Sequence, residues 1–147
     1  MRCLLIVLFL FPLFYAFAQK SEQEKIEELN QLNAAKHQQL VRQAIDSAIN
    51  LMQAENYSQA DERFKFALSN SKSIPSDLTY YFGENSYYLG KYRQSIDWLT
   101  KYIQLKGTSG THSADAAALL QKAQTAMREQ LSQKREEAAE ILSMDFD

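Results

Sequence analysis

The chain has 147 residues, with 16 Lys and Arg against 18 Asp and Glu, and a formal charge of −2. That length supports one domain with its own core, and the slight acidity leaves no electrostatic footprint for nucleic acid. The single cysteine, Cys3, excludes an internal disulfide, so stability has to come from packing.

The first segment is "MRCLLIVLFLFPLFYAFAQ". One positive charge, Arg2, precedes an apolar run from Leu4 to Phe14, and Ala16-Phe17-Ala18 has the small-x-small form that a signal peptidase cuts. The run is shorter than the roughly 20 residues a spanning helix needs. Residues 1–18 are therefore expected to be a cleaved export signal, leaving a mature chain that starts at Gln19 and has no stable membrane insertion. Cys3 lies before the apolar run rather than at the cut, which argues against a lipid anchor. Loss of Arg2 takes the charge from −2 to −3 and removes the only thiol.

The mature chain reads as all-helical. Gly and Pro are scarce, and Pro75, Gly90 and Gly107-Thr108-Ser109-Gly110 punctuate segments with apolar residues three and four apart. Ser21 with Glu24 has the form of a capping box, so a polar helical extension is expected over 19–40, where Ile26, Leu29 and Leu32 are the main apolar residues. From Val41 the stripe becomes dense: Val41, Ala44, Ile45, Ala48, Ile49, Leu51 and Met52. A break at Glu55-Asn56-Tyr57 precedes a second helix, with Ser58 as its expected N-cap and Ala60, Phe64, Ala67 and Leu68 on its apolar face. Asn56-Tyr57-Ser58 also fits a glycosylation sequon, but turn packing and capping already account for it.

After Pro75, with Ser76 as the expected N-cap, the pattern returns. "DLTYYFGENSYYLGKY" turns at Gly90-Lys91-Tyr92 and comes back through Ser95, Ile96, Leu99, Tyr102 and Ile103. Residues 41–109 thus hold two helical hairpins, 41–74 and 76–109, with "YSQADERFKFAL" echoed by "YRQSIDWLTKYI". The period and positions resemble the tetratricopeptide repeat. The residues that carry the resemblance are Ala48, Tyr57, Ala60, Phe64 and Ala67 in the first copy. In the second they are Phe82-Gly83, Gly90, Tyr92, Ser95 and Leu99. The departures are Ala44 and Thr79 where the family has a large aromatic, Leu51 and Ser86 where it has a later Tyr, and the bulky Tyr102 where a small residue is usual.

The resemblance implies an α-solenoid of two repeats plus flanking helices. Since stacked repeats need covered ends, the segment from 111 to 142 is expected to supply a capping helix through Ala116, Leu119, Leu120, Ala123 and Met127. A charged helical continuation and a frayed end at 143–147 should follow.

Nothing in the pattern points to catalysis or a cofactor. His37 and His112 lie in different segments without partners at metal-ligand spacing, and there is no Gly-rich phosphate loop or nucleophile elbow. The carboxylates share polar helical faces with Lys and Arg, a solvated surface by default. No catalytic residue, metal or cofactor is expected, and the chain is expected not to be an enzyme, a hydrolase with an unrecognised site being the distant alternative.

The resemblance implies instead a protein or peptide partner held on the concave face of the first helices. Stepping along that face brings Ile45, Ile49 and Met52 together with Tyr80, Glu84 and Tyr87, an apolar and aromatic groove with one carboxylate. The expected function is an exported adaptor, periplasmic in a double-membraned bacterium and secreted otherwise. The alternative is a self-associating interaction module of a larger cell-envelope assembly, and a homo-oligomer stays open.

Overall fold

A computed structural model describes the backbone of residues 2–144 and the side chains of residues 22–143. The export signal expected over 1–18 lies outside the described side chains, and 145–147 of the expected fray lie outside the described backbone. Five helices follow in order: α1 (Arg2–Gln53), α2 (Tyr57–Asn70), α3 (Ser76–Tyr88), α4 (Tyr92–Lys106) and α5 (Ser113–Met144). The all-α class expected from the sequence is what the described residues form. Among them no helix is long and apolar enough to cross a membrane.

The chain divides into two compact units, Met1–Leu40 and Val41–Asp147. In the first unit Ile26, Leu29 and Leu32 are exposed, and Gln31 Nε2 donates to Glu27 Oε1 one helical turn back at 3.1 Å. Ser21 opens no helix, because α1 already spans it; a capping-box pattern cannot start a helix where the preceding residues are already helical.

In the second unit the turns set the architecture. At the end of α1 the Glu55 N–H donates to Met52 O and the Asn56 N–H to Leu51 O; at the end of α3 the Gly90 N–H donates to Tyr87 O and the Lys91 N–H to Ser86 O. Both are Schellman closures, with a left-handed residue satisfying the last carbonyls of the helix. That residue is Glu55 at φ 57° in the first turn and Gly90 at φ 69° in the second. α2 begins at Tyr57, with Asn56 as its cap, and α3 begins at Ser76, with Pro75 as its cap. The caps are thus Asn56, two residues before the expected Ser58, and Pro75, one residue before the expected Ser76. Pro75, at φ −61° and ψ 137°, enters helical φ without a spare N–H to satisfy.

The core has two parts. In the first, Val41, Ala44, Ile45 and Ala48 of α1 meet Ala60, Phe64 and Ala67 of α2 and Leu78 and Phe82 of α3. The Phe64 and Phe82 rings lie 5.6 Å apart and tilted. In the second, Tyr80 of α3 meets Leu99 and Tyr102 of α4 and Ala116 of α5. The polar residues that depart from the repeat pattern are buried at little cost, because they bond within their own helix. Thr79 Oγ1 donates to Ser76 O and Ser86 Oγ to Phe82 O, both at 2.6 Å.

α3 and α4 approach closely at Gly83. A Cβ there would come within 2.8 Å of Leu99 Cγ, so a side chain at that position would force Leu99 or α4 to shift. Tyr102, bulky where a small residue was expected, is accommodated by α5. Its hydroxyl accepts the His112 N–H at 2.9 Å, satisfying a donor beside the open N-terminus of that helix.

Two polar ties join the first hairpin to the second. Asn85 Nδ2 donates to Tyr57 O at 3.0 Å, fixing the middle of α3 to the start of α2. Asp61 of α2 receives Lys91 Nζ, from the α3–α4 turn, at 2.8 Å and Lys65 Nζ at 2.7 Å on the same oxygen. Burial works to raise the Asp61 pKa, but the hydrogen bonds and charges of the two lysines outweigh it and hold the carboxyl below its ordinary value.

Candidate binding groove

Ile49, Met52 and Gln53 at the end of α1, Tyr57 at the start of α2, and Tyr81, Glu84 and Tyr88 on one face of α3 line a groove of about 270 Å³. The Schellman turn at Glu55 brings Tyr57 back beside Met52. On α3, positions 81, 84 and 88 fall in line through the three- and four-residue spacing of one helical face. The Tyr57 and Tyr88 rings stack at 4.7 Å with 13° between their planes, and Tyr88 is 52% exposed.

Of the six residues expected in a groove, the structure gathers Ile49, Met52 and Glu84 into it. Ile45 belongs to the first core cluster. Tyr80, expected to be open, is only 7% exposed. Its ring stacks on His112 at 4.2 Å, nearly parallel, and lies 5.6 Å from the Tyr102 ring. Burial first, then the nearby Glu84 and Asp115 carboxylates, push its phenol well above the ordinary tyrosine range. Tyr87 faces another cavity, lined by Ala118, Gln121, Lys122, Thr125, Ala126 and Glu129 of α5. The correction is a rotation by one residue: α5 covers the side of α3 that carries Tyr80, so the open face carries Tyr81 and Tyr88 instead.

Tyr81 separates groove from core. It meets the Tyr80 ring edge-on at 5.1 Å and His112 edge-on at 5.2 Å, and its hydroxyl lies 3.5 Å from His112 Nε2. His112, expected to be an ordinary linker residue, joins three tyrosines; no periodic signal in the sequence marks a residue that sits between helices.

Glu84 is the charged group of the groove. It is half-buried, and desolvation first, then the Asp115 carboxylate, push its pKa above the ordinary value. Asp61 pairs with Lys65 and Lys91, whereas Glu84 has no ion-pair partner among the described residues. No group of three or more His, Cys, Asp or Glu among these residues is placed to hold a metal ion. Comparison with known proteins finds no matching family, no matching curated protein and no matching solved structure.

Proposed function

We propose that this chain is an exported adaptor of the tetratricopeptide-repeat type, which holds a peptide segment of a protein partner in the groove between α1, α2 and α3 and carries out no catalysis. The observation that carries the proposal is the groove itself: an apolar floor of Ile49 and Met52 beside three tyrosines and one carboxylate. Tyrosine offers large contact area at small entropic cost and is enriched where interfaces concentrate their affinity. The repeat assignment is supported by two hairpins closed by the same turn and by the close approach at Gly83.

The test is selection of a displayed peptide library on the full chain, followed by titration of the enriched peptides against Met52→Ala/Tyr88→Ala. Affinity should fall by about tenfold or more, as for a central anchor, in a variant that circular dichroism shows to be folded. Tyr88 is open to solvent, whereas Met52 is partly buried against the first core cluster, so its truncation accounts for any drop in melting temperature. Peptides that bind the double variant as tightly as the original would remove the groove from the function.

Self-association as part of an envelope assembly is the second reading. It is favoured by exposed Ile26, Leu29 and Leu32 on α1 and Leu131, Ile141 and Leu142 on α5. Light scattering after size exclusion separates the two, a monomer mass counting against self-association. Export itself is tested by the intact mass of the secreted form, which should begin at Gln19; retention of residues 1–18 would sink the assignment.

A further inference from the structure

Three features compete for a role beyond this. The stacked His112–Tyr80 pair holds α5 against α3 and is accounted for as core. The cavity beside Trp98, lined by Lys91, Arg93 and Asp97, mixes charges of both signs and favours no ligand. The groove carboxylate is different, because its surroundings specify the charge of what would sit on it.

We propose that the groove binds one basic side chain, lysine or arginine, of the partner peptide, with Glu84 pairing its cation and Tyr57, Tyr81 and Tyr88 lining its stem. The proposal rests on the adaptor function above and names the chemistry of its ligand. Glu84 lies half-buried with no cation paired to it among the described residues, although Lys91, the cation of the neighbouring turn, is committed to Asp61 at 2.8 Å. The groove's volume, about 270 Å³, is below the range of roughly 300 to 1,000 Å³ typical of small-molecule sites and suits a single long side chain.

Tyrosine faces attract ammonium and guanidinium groups through the ring quadrupole, and the apolar stem of Lys or Arg covers Ile49 and Met52 while its charge reaches the carboxylate. An acidic ligand would meet Glu84 with Asp115 close enough to act on the same carboxyl. The raised pKa of Glu84 agrees with this arrangement, since an incoming cation relieves the electrostatic cost of keeping the group charged.

The experiment uses fluorescence anisotropy with short peptide pools in which one central position is fixed as Arg, Lys, Gln or Glu and the flanking positions are randomised. The full chain is titrated alongside Glu84→Gln and Glu84→Lys. The Arg and Lys pools should bind the original chain about tenfold or more tighter than the Glu pool, as a desolvated charge pair requires. Glu84→Gln should abolish that preference, and Glu84→Lys should reverse it. Melting of Glu84→Gln at an unchanged or higher temperature shows that the variant is folded.

A basic preference that survives both substitutions would belong to the overall negative charge of the protein and overturn the proposal. Pools that bind equally well whatever the fixed residue, but lose affinity in Met52→Ala/Tyr88→Ala, would overturn it while leaving the adaptor function standing. No binding by any pool would remove both. A dimer that Glu84→Lys dissociates would assign the groove to a second copy of the chain and overturn the proposal as well.

Discussion

The hairpin made by the end of α1 with α2 and the hairpin made by α3 with α4 close through the same pair of turn hydrogen bonds, yet they fill the space between their helices differently. Glu55 in one turn corresponds to Gly90 in the other, a shift of 35 residues. The same shift takes Ala48 to Gly83, Phe64 to Leu99 and Ala67 to Tyr102. The first hairpin sets a flat ring, shared with Phe82, in a cluster with an alanine. The second sets a branched side chain against bare backbone, since Leu99 Cγ stands 2.8 Å from where a Gly83 Cβ would be. What repeats is therefore the turn and the requirement for something small on the first helix. The size of the small residue is decided locally, by the shape of what it faces.

The sharpest way to break this comparison is to remove the ring. Phe64 is completely buried and touches elements on both sides, so Phe64→Ala should cost about 3 to 5 kcal/mol. Chemical denaturation followed by circular dichroism would measure it. A loss below about 1 kcal/mol would mean that the ring is not the joint between the two hairpins.

Next in size is the close approach in the second hairpin. Gly83→Ala forces Leu99 or the α4 backbone to move and should cost about 1 to 3 kcal/mol, the usual range for overpacking. The informative measurement is the double variant with Leu99→Ala. If the contact is what excludes the methyl group, the two losses should fall well short of additive; simple additivity would place the strain elsewhere.

A smaller effect belongs to the tie between the hairpins. Asp61 has its folded pKa held below the ordinary value of 3.8, so its contribution is present above that value and is lost as pH falls through the lower, folded pKa. Glu84 has the opposite sign. Its folded pKa is raised above 4.5, so the penalty for keeping it charged disappears as the solution becomes acidic. Lys91→Met should lower stability at neutral pH by up to about 1 kcal/mol, given the partial exposure of the lysine. It should also flatten the acid limb of the melting profile; an acid limb unchanged in slope would show that Asp61 draws nothing from Lys91.

The parts of this arrangement that the sequence discloses are those set by local chemistry. Glycine at 90 and its counterpart at 55 mark turns, Gly83 marks a close contact, and the three- and four-residue spacing marks the helices. The choice between adjacent tyrosines is of another kind. Tyr80-Tyr81 and Tyr87-Tyr88 each place the same residue on two faces of α3 about 100° apart, so composition cannot tell which is buried. For Tyr80 that is decided by Ala116 of α5 and by His112 just before it, more than thirty residues away in the sequence, and Tyr87 lies beside later turns of the same helix. The groove was thus legible in its α1 half, Ile49 and Met52, and in Glu84, while its aromatic members were displaced by one position. Tyr57, read as a turn residue, serves the groove as well because the Glu55 turn folds it back.

The least effect is expected at that turn, where the two hairpins differ by one residue in the same backbone conformation. Glu55 sits at φ 57° and Gly90 at φ 69°, a region that costs an L-residue roughly 1 to 2 kcal/mol but costs glycine almost nothing. Glycine also gives the unfolded chain more freedom, which takes back about 0.4 to 1 kcal/mol of that advantage. Glu55→Gly should therefore stabilise the protein slightly, by a few tenths to about 1 kcal/mol, while Gly90→Ala should destabilise it by a similar amount. Opposite signs from positions 35 residues apart would show that the two turns are energetically as well as geometrically equivalent. If Glu55→Gly instead lowers the melting temperature, the glutamate side chain contributes at this turn beyond its backbone conformation, and the two hairpins share a shape without sharing the forces that hold it.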